Sequence, residues 1–416
     1  MVALMTLSLG CGPAVGTGEG EEGSSGGPPP QGSTGASDSM PPTSASGTVS
    51  GSPTTLDTAD ASSSGFSDES SSSTGFEIEP PECGSILLEG LPHGHVYRDA
   101  DGSDRSRYAG GFARPDTPLE GVALRLLGSD LELESCPGGD YTFAAPEGLY
   151  VVAPEAHEGD CSQRNCTTRF PDAVEEGFVK IVTLGDSVPV LGATETFPAR
   201  VAELVSALVD VQEVNLAVSG TQSSDWTPGG TRFEQVRDEL TDADVVLVSL
   251  GGNDVLNFAS TADLGDLGAL LMGAQATVDQ VAANVRDIAA EIRVENPDAD
   301  VVFCLYPDYS QAMQTPPWSD LGFLPPGIVS GLLVRARDNF APEDDIVLVD
   351  LFGLTPALPL PLDDYLDDAL HFNDVGHDLY AHEVFRALGG VIVGPSPLAT
   401  TPVNPEDNRQ DFGYVN

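Results

Sequence analysis

Apolar and polar positions follow two different patterns along this chain, and the pattern changes near residue 178. Beyond that point, short apolar runs are separated by stretches in which apolar side chains recur every three or four positions, as at Val201, Leu204, Val205 and Leu208. The runs predict strands at residues 181–184, 213–218, 243–250, 300–305 and 346–351, and the longer stretches predict helices at residues 197–209, 267–294 and 377–388. Strands that alternate with helices indicate βαβ units, so we expect an α/β fold with a parallel sheet.

The region before residue 172 contains only short β-like runs, separated by turn residues. These runs lie at residues 94–97, 121–126, 141–143 and 148–152. Their spacing predicts a small all-β sandwich.

The first 80 residues offer almost nothing to bury. Residues 12–80 are mainly Gly, Ser, Thr and Pro with scattered acids, which predicts a disordered linker that acts as a tether. Residues 1–9 are apolar and precede Gly10-Cys11-Gly12, which resembles the end of a bacterial lipoprotein signal with Cys11 as the acylated residue. An ordinary cytosolic start is the alternative.

These patterns divide the chain into five parts. The predicted parts are a lipoprotein signal at 1–11, a linker at 12–80, a β-sandwich domain at 81–172, an α/β domain at 178–395 and a C-terminal tail at 396–416.

The formal net charge is −48, from 65 acidic and 17 basic residues. A surface with this charge repels polyanions, so nucleic acid is excluded as an expected partner. A saline habitat is one hypothesis for the excess of acids, and simple accumulation on solvated faces and in the linker is the other.

Six cysteines are present, and four of them cluster before residue 170. Outside the cytosol such a cluster predicts two disulfides, for which three pairings exist. The remaining two are Cys11 and Cys304, and Cys304 lies in a strand-like run where a buried structural thiol is expected. The clustered cysteines are Cys83, Cys136, Cys161 and Cys166.

Groups suited to nucleophilic catalysis occur at three separated places. Ser187 follows a predicted strand directly, Asn253 follows another, and His371 lies three residues after Asp368. A serine hydroxyl attacks only after a base removes its proton, and a histidine oriented by a carboxylate is a suitable base. Ser187 could instead cap a following helix. His377 competes for the role of base, but we expect it at the start of a helix.

Four short blocks in this order resemble the GDSL or SGNH hydrolase family. They are Gly185-Asp186-Ser187, residues 215–220 ending in Gly220, residues 251–254 (Gly-Gly-Asn-Asp), and Asp368-x-x-His371 followed by Asn373 and Gly376. The resemblance implies a three-layer α/β/α sheet and a serine hydrolase that needs no cofactor. Two departures are Pro189 and Gly192, since many members have the glycine one position earlier.

The resemblance also assigns roles to individual residues. Ser187 would be the nucleophile, with His371 as general base and Asp368 as the carboxylate that orients it. The oxyanion hole would consist of the backbone amides of Ser187 and Gly220 and the side chain of Asn253. Asp254 is expected to be structural support. Three aromatic residues are expected either to line a sugar or acyl pocket or to anchor loops, namely Trp226, Tyr309 and Trp318.

The β region resembles the immunoglobulin-like or prealbumin-like modules of the SdrD B-repeat and Cna B type. In such modules an acidic loop often binds calcium, which implies a candidate site at Asp99, Asp101 and Asp104. Solvated acids in an Asp-Gly turn are the alternative.

The expected function is therefore hydrolysis of a small ester, with short acyl groups on polysaccharide as the first choice of substrate and lipids or thioesters as alternatives. The expected location is extracytoplasmic, as a bacterial surface lipoprotein tethered through Cys11 or as a secreted protein. A surface binding or adhesion protein with an inactive hydrolase fold is the main alternative, and acyl transfer between carbohydrates is a weaker one.

Overall fold

A computed structural model describes residues 83, 90–98, 116–155, 160–161, 168–310, 326–340, 346–398 and 408–415, apart from residues 264, 359 and 369. The predicted lipoprotein signal, the linker and the candidate calcium ligands Asp99, Asp101 and Asp104 lie outside these residues. In the part that is described, no helix is long and apolar enough to cross a membrane.

A five-stranded parallel sheet forms the centre of the α/β region. The strands are β8 (Phe178–Gly185), β9 (Asp210–Asn215), β10 (Val245–Ser249), β11 (Asp300–Leu305) and β12 (Val347–Asp350). Their order in the sheet is β12-β11-β10-β8-β9, in which all neighbours run parallel. The parallel sheet and α/β class predicted from the sequence are therefore confirmed.

Both faces of this sheet are buried, which explains why its strands are apolar at consecutive positions. Along β10, Val245 and Leu247 belong to one hydrophobic cluster, while Val246 and Val248 belong to another. Because successive strand side chains point to opposite faces, two separate cores form on the two sides of the sheet.

Helices cover both faces and complete three layers. The α helices of the described residues are α1 (Phe170–Glu176), α2 (Phe197–Ser206), α3 (Thr231–Leu240), α4 (Gly252–Thr261), α5 (Leu267–Glu295), α6 (Pro326–Asp338), α7 (Leu351–Leu354) and α8 (Asp374–Ala387). Helices α2 and α8 pack on one core, and α3 and α5 pack on the other. The closing helix begins three residues earlier than predicted, because the side chain of Asn373 accepts a hydrogen bond from the amide of Gly376 and caps the first turn.

The β region contains two sheets that share one hydrophobic cluster. The strands are β1 (His93–Arg98), β2 (Thr117–Pro118), β3 (Ala123–Leu127), β4 (Leu131–Glu134), β5 (Asp140–Thr142), β6 (Gly148–Pro154), β7 (Asp160–Cys161), β13 (Gly390–Val393) and β14 (Phe412–Val415). One sheet has the order β2-β1-β14-β7 with β5 also paired to β1, and the other has the order β13-β6-β3-β4. The immunoglobulin-like assignment stays a prediction.

Two of these strands come from the end of the chain, which the sequence did not predict. Residues 396–416 were expected to form a tail, but strand β14 pairs in parallel with β1. Strand β13 pairs with β6 although residue 395 was the expected limit of the α/β domain. Phe412 and Val391 are fully buried in the core of the β region, so burial of apolar side chains explains both pairings.

Cys83 and Cys136 form a disulfide. This agrees with one of the three expected pairings, whereas the partner of Cys161 remains a prediction because Cys166 lies outside the described residues. Cys304 is a free, buried thiol on β11, as expected, and burial raises its pKa far above the usual range.

Candidate active site

Ser187 lies in a tight turn immediately after strand β8. The amide of Asp186 donates a hydrogen bond to the carbonyl oxygen of Ser249 at the end of β10, which continues the sheet ladder to the start of the turn. The amides of Val190 and Leu191 then donate to the carbonyl oxygen of Ser187. The next helix begins only at Phe197, so the interpretation of Ser187 as a helix cap is wrong.

His371 connects Ser187 to Asp368 although serine and histidine are 184 positions apart in the chain. The Nε2 atom of His371 lies 2.9 Å from the Oγ atom of Ser187, and its Nδ1 atom lies 2.6 Å from an oxygen of Asp368. His371 is 9% exposed and Ser187 is half-buried. The structure thus brings the three predicted residues into one chain of hydrogen bonds.

The carboxylate of Asp368 is held in its ionised form. Partial burial favours the neutral form, but hydrogen bonds from the His371 ring and from the amides of Leu370 and His371 outweigh it and lower the pKa of Asp368 to about 2. An ionised carboxylate accepts a hydrogen bond from Nδ1–H of His371, and this tautomer leaves the lone pair of Nε2 directed towards Ser187.

Gly192 explains why this chain departs from the usual position of the glycine. Its φ angle is +96°, and a Cβ atom at this position would overlap the carbonyl oxygen of Phe372 and lie 3.3 Å from Cβ of His371. Only glycine combines that backbone conformation with such a close approach. The turn that carries Ser187 therefore packs directly against the segment that carries His371.

Gly220 and Asn253 approach the serine turn from two different strands. The amide of Val218 donates to the carbonyl oxygen of Gly185, so the segment that leads to Gly220 runs beside the end of β8. Gly220 has a φ angle of +85°, which favours glycine, and it is exposed. Asn253 lies in the first turn of α4, which follows β10.

Thr221 links these parts, and the sequence did not single it out. Its Oγ1 atom lies 3.1 Å from the carbonyl oxygen of Gly185 and accepts a 2.9 Å hydrogen bond from the indole nitrogen of Trp226. Its carbonyl oxygen accepts a 2.9 Å hydrogen bond from the side-chain amide of Asn253. A threonine after a glycine carries no signal of its own, so only the fold reveals this role.

Residues 183–379 match the model of the GDSL-like Lipase/Acylhydrolase family. The matched residues include Ser187, Gly220, Asn253 and His371. Two of these, Ser187 and His371, are in hydrogen-bond contact. Residues 183–379 form a GDSL-like hydrolase domain of the SGNH esterase type. A comparison with curated proteins found no match.

Several solved structures are similar to the GDSL-like domain. A lipase from a goat rumen metagenome is 16% identical with a TM-score of 0.40, and the match covers 51% of this chain and 98% of the lipase. The acetylxylan esterase Axe2 from Geobacillus stearothermophilus is 18% identical with a TM-score of 0.35, covering 51% of this chain and 94% of Axe2. A lipase/acylhydrolase from Enterococcus faecalis is 21% identical with a TM-score of 0.35, and the match covers 51% of this chain and 95% of that protein.

Asp186 is a buried carboxyl group next to Ser187 in the GDSL-like domain. Burial raises its pKa to about 6, although hydrogen bonds from the Val188 amide and the Tyr306 hydroxyl oppose this effect. The Tyr306 hydroxyl also accepts a hydrogen bond from the amide of Gly252. Asp186 therefore joins the serine turn to the Gly251-Gly252 segment.

Asp254 and Trp226 have the supporting roles that were expected for them. Asp254 accepts hydrogen bonds from the amide and hydroxyl of Ser223, and the side chain of Asn284 donates to the same hydroxyl. Trp226 is fully buried, so it anchors its loop and does not line a pocket. Trp318, another candidate pocket residue, lies outside the described residues.

His377 is held by the backbone. The amide of Phe197 donates to its Nδ1 atom, and its Nε2 atom lies 2.9 Å from the carbonyl oxygen of Leu191. Burial lowers the pKa of His377 to about 4, so the ring is neutral and its tautomer is set by these two contacts. Both ring nitrogens are engaged, which favours the expected structural role in the first turns of α8.

An apolar cavity of about 160 Å³ opens beside Ser187. Ser187 and Asn253 are among the residues that line it, and helices α4, α5 and α6 form most of its walls. Tyr309 also lines the cavity, with its hydroxyl donating to the carbonyl oxygen of Leu370. No group of three or more metal-binding side chains occurs within the described ranges.

Proposed function

We propose that this protein hydrolyses esters through a covalent acyl-Ser187 intermediate. The observation that carries the proposal is the hydrogen-bond chain from Ser187 Oγ through His371 to Asp368, with distances of 2.9 and 2.6 Å. These are the distances expected for a nucleophile, a base and an orienting carboxylate.

In the first half of the reaction, His371 Nε2 accepts the proton of Ser187 while Oγ forms a bond to the ester carbonyl carbon. The ionised Asp368 stabilises the imidazolium that results. Collapse of the tetrahedral intermediate breaks the bond to the alcohol oxygen, which leaves with the proton of His371. In the second half, His371 accepts a proton from water while the water oxygen forms a bond to the acyl carbon. Collapse of this second tetrahedral intermediate breaks the bond between the acyl carbon and Ser187 Oγ, which takes the proton back from His371, and the acid is released.

The negative oxygen of each tetrahedral intermediate needs hydrogen-bond donors. We assign the backbone amides of Ser187 and Gly220 and the side-chain amide of Asn253 to this role. A primary amide carries two N–H groups, and Asn253 uses one for the carbonyl oxygen of Thr221, which orients the other. A single donor of this kind lowers the barrier by roughly 3 kcal/mol.

The proposed substrate is a small ester, and acylated carbohydrate is included among the candidate alcohols. An inactive binding protein would not need to keep a buried histidine in contact with both a serine and a carboxylate, so the site geometry supports the enzyme. The steps above use only groups of this chain, and calcium at Asp99, Asp101 and Asp104 stays a separate structural proposal.

Hydrolysis of p-nitrophenyl acetate tests the mechanism, together with labelling by a fluorophosphonate. Wild type should turn over and be labelled, whereas Ser187→Ala and His371→Ala should lose at least about 1,000-fold in kcat. The matched control is Ser206→Ala, since this exposed serine donates a hydrogen bond to the carbonyl oxygen of Glu203 in its own helix. A folded wild type that is neither active nor labelled would favour the binding protein.

The proposed location is extracytoplasmic, with Cys11 as the lipid attachment site. The disulfide between Cys83 and Cys136 supports an oxidising compartment. Fatty-acid incorporation into wild type, lost in Cys11→Ala, would support the tether. A protein recovered in the cytosol with reduced Cys83 would contradict it.

A further inference from the structure

The walls of the cavity beside Ser187 are mainly apolar. Val255, Leu256 and Ala259 of α4 form one wall, and Leu332, Leu333 and Ala336 of α6 form another. The lining also includes apolar side chains of α5 and β11.

Apart from Ser187 and Asn253, the polar side chains in the lining already have hydrogen-bond partners. Both carboxyl oxygens of Asp186 accept hydrogen bonds, the Tyr306 hydroxyl donates to Asp186, and the Tyr309 hydroxyl donates to Leu370. A sugar ring in this cavity would lose its hydrogen bonds to water without replacement, which is unfavourable. An alkyl chain would lose nothing of this kind and would bury apolar surface.

We infer that this cavity holds the acyl chain of the substrate, and that the enzyme acts on esters of fatty acids with about six to eight carbons. The inference rests on the proposed function, because the chain must belong to an acyl group bound to Ser187. It replaces the short acyl group that was the first choice from the sequence with a longer, apolar one.

The position of the cavity relative to the triad identifies which side of the ester enters it. Ser187 lines the cavity, whereas His371 does not. The alcohol must receive its proton from His371, so the leaving group lies on the histidine side. The group that remains on Ser187 is therefore the one next to the cavity.

The cavity volume sets the length of chain that fits. An apolar cavity of roughly 150 Å³ accommodates benzene, a molecule of six carbons. The cavity here is about 160 Å³, so a chain of about six carbons fills it and an acetyl group leaves most of it empty. Each added methylene that enters should raise kcat/KM about fourfold until the space is full, as expected from about 0.8 kcal/mol per buried methylene.

The test is a series of p-nitrophenyl esters from acetate to dodecanoate, hydrolysed by the full-length protein below the concentration at which the esters aggregate. The expected profile has a maximum at hexanoate or octanoate, with kcat/KM at least about thirtyfold above acetate. A profile that falls steadily from acetate, while turnover still depends on Ser187, would overturn the acyl-chain inference and leave the proposed function intact. Absence of turnover and of labelling at Ser187 would overturn both.

Ala259→Phe places a ring in the cavity. The ratio of hexanoate to acetate hydrolysis should fall at least about twentyfold, because the ring occupies the space that the longer acyl chain needs. Ser260→Phe is the matched control, since Ser260 is the next residue of α4 but is exposed. Equal losses on both esters in Ala259→Phe, or no loss on either, would contradict the proposed position of the chain.

Leu333→Ala enlarges the cavity and guards against a folding defect in Ala259→Phe. Its preferred chain should be about two carbons longer than that of wild type. An unchanged preference would overturn the assignment of this wall.

Discussion

The side-chain amide of Asn253 donates a 2.9 Å hydrogen bond to the carbonyl oxygen of Thr221. Asn253 follows strand β10, whereas Thr221 follows β9 and lies next to Gly220, so one contact joins two of the three proposed oxyanion donors. The Thr221 hydroxyl lies 3.1 Å from the carbonyl oxygen of Gly185, two positions before Ser187. The geometry of the oxyanion hole thus depends on a residue that need not contact the substrate.

Thr221→Val should reduce catalysis by disturbing this geometry. The substitution keeps the side-chain volume but removes the hydroxyl that lies near Gly185 and accepts from the Trp226 indole. We expect kcat to fall about tenfold to a hundredfold with little change in KM, because the donors act mainly in the transition state. The free energy of unfolding should fall by about 1–3 kcal/mol, since the buried indole N–H loses its acceptor.

Thr221→Ser retains the hydroxyl and should recover most of kcat. If Val and Ser variants lose activity equally, or if KM alone rises, Thr221 does not position the oxyanion donors. Steady-state kinetics and urea unfolding of the three proteins distinguish these results.

Gly192→Ala should destabilise the protein and lower its activity. The new Cβ would overlap the Phe372 carbonyl oxygen in a backbone conformation that alanine avoids. We expect a loss of at least about 2 kcal/mol, which lowers Tm by about 4 °C or more. The turn that holds Ser187 would move away from His371, so kcat should also fall.

Gly229→Ala is the control for Gly192→Ala. Gly229 also has a positive φ of 78°, but a Cβ there meets nothing within 4 Å. Its Tm should fall by only about 2–4 °C and kcat should not change. Equal effects of the two substitutions on kcat would show that close packing at Gly192 is unimportant.

Asp186 should make stability fall as pH rises through a defined range. An unfolded aspartate ionises near pH 4, whereas burial raises the pKa of folded Asp186 to about 6. Between these values the folded chain retains a proton that the unfolded chain has lost, so the free energy of unfolding decreases with pH, by up to about 3 kcal/mol. Asp186→Asn cannot ionise and should lack this decrease.

Chemical denaturation between pH 4 and 7 measures the difference between wild type and Asp186→Asn. The stability of Asp186→Asn relative to wild type should increase across the range and level off above about pH 6. A constant difference would show that Asp186 keeps its ordinary pKa.

His377 should produce the opposite dependence on pH. An unfolded histidine titrates near pH 6.5, whereas burial lowers the pKa of folded His377 to about 4. In this range the unfolded chain binds the extra proton, so stability falls as the pH falls from about 6.5 to 4. The Oδ1 atom in His377→Asn can still accept a hydrogen bond from the Phe197 amide. The free energy of unfolding of this variant should fall less steeply than that of wild type as the pH falls from about 6.5 to 4.

His382 contributes to the same loss of stability at acid pH, because burial lowers its pKa to about 3. The decrease in unfolding free energy at acid pH should therefore be smaller in His377→Asn than in wild type, but not absent. Unchanged slopes of unfolding free energy against pH in wild type and His377→Asn would contradict the assignment.

The sequence alone determined the parallel sheet, the position of Ser187 after a strand, and the local pairing of Asp368 with His371. These features depend on short-range patterns: apolar runs form buried strands, and residues three apart can meet in one turn. The family blocks then predicted which distant residues should meet. Gly192 looked like a departure only because its partner, Phe372, lies far away in the chain.

Only the tertiary structure decided the role of Thr221, the apolar cavity and the use of the C-terminal segment. Thr221 acts through a backbone carbonyl and a hydroxyl that any threonine possesses, and its partners come from separate strands. The cavity arises where α4, α5 and α6 meet, and each of these helices reads as ordinary apolar packing by itself. Strand β14 pairs with β1 over 316 positions, as Val96 and Phe412 show, because backbone pairing and shared burial do not depend on sequence distance.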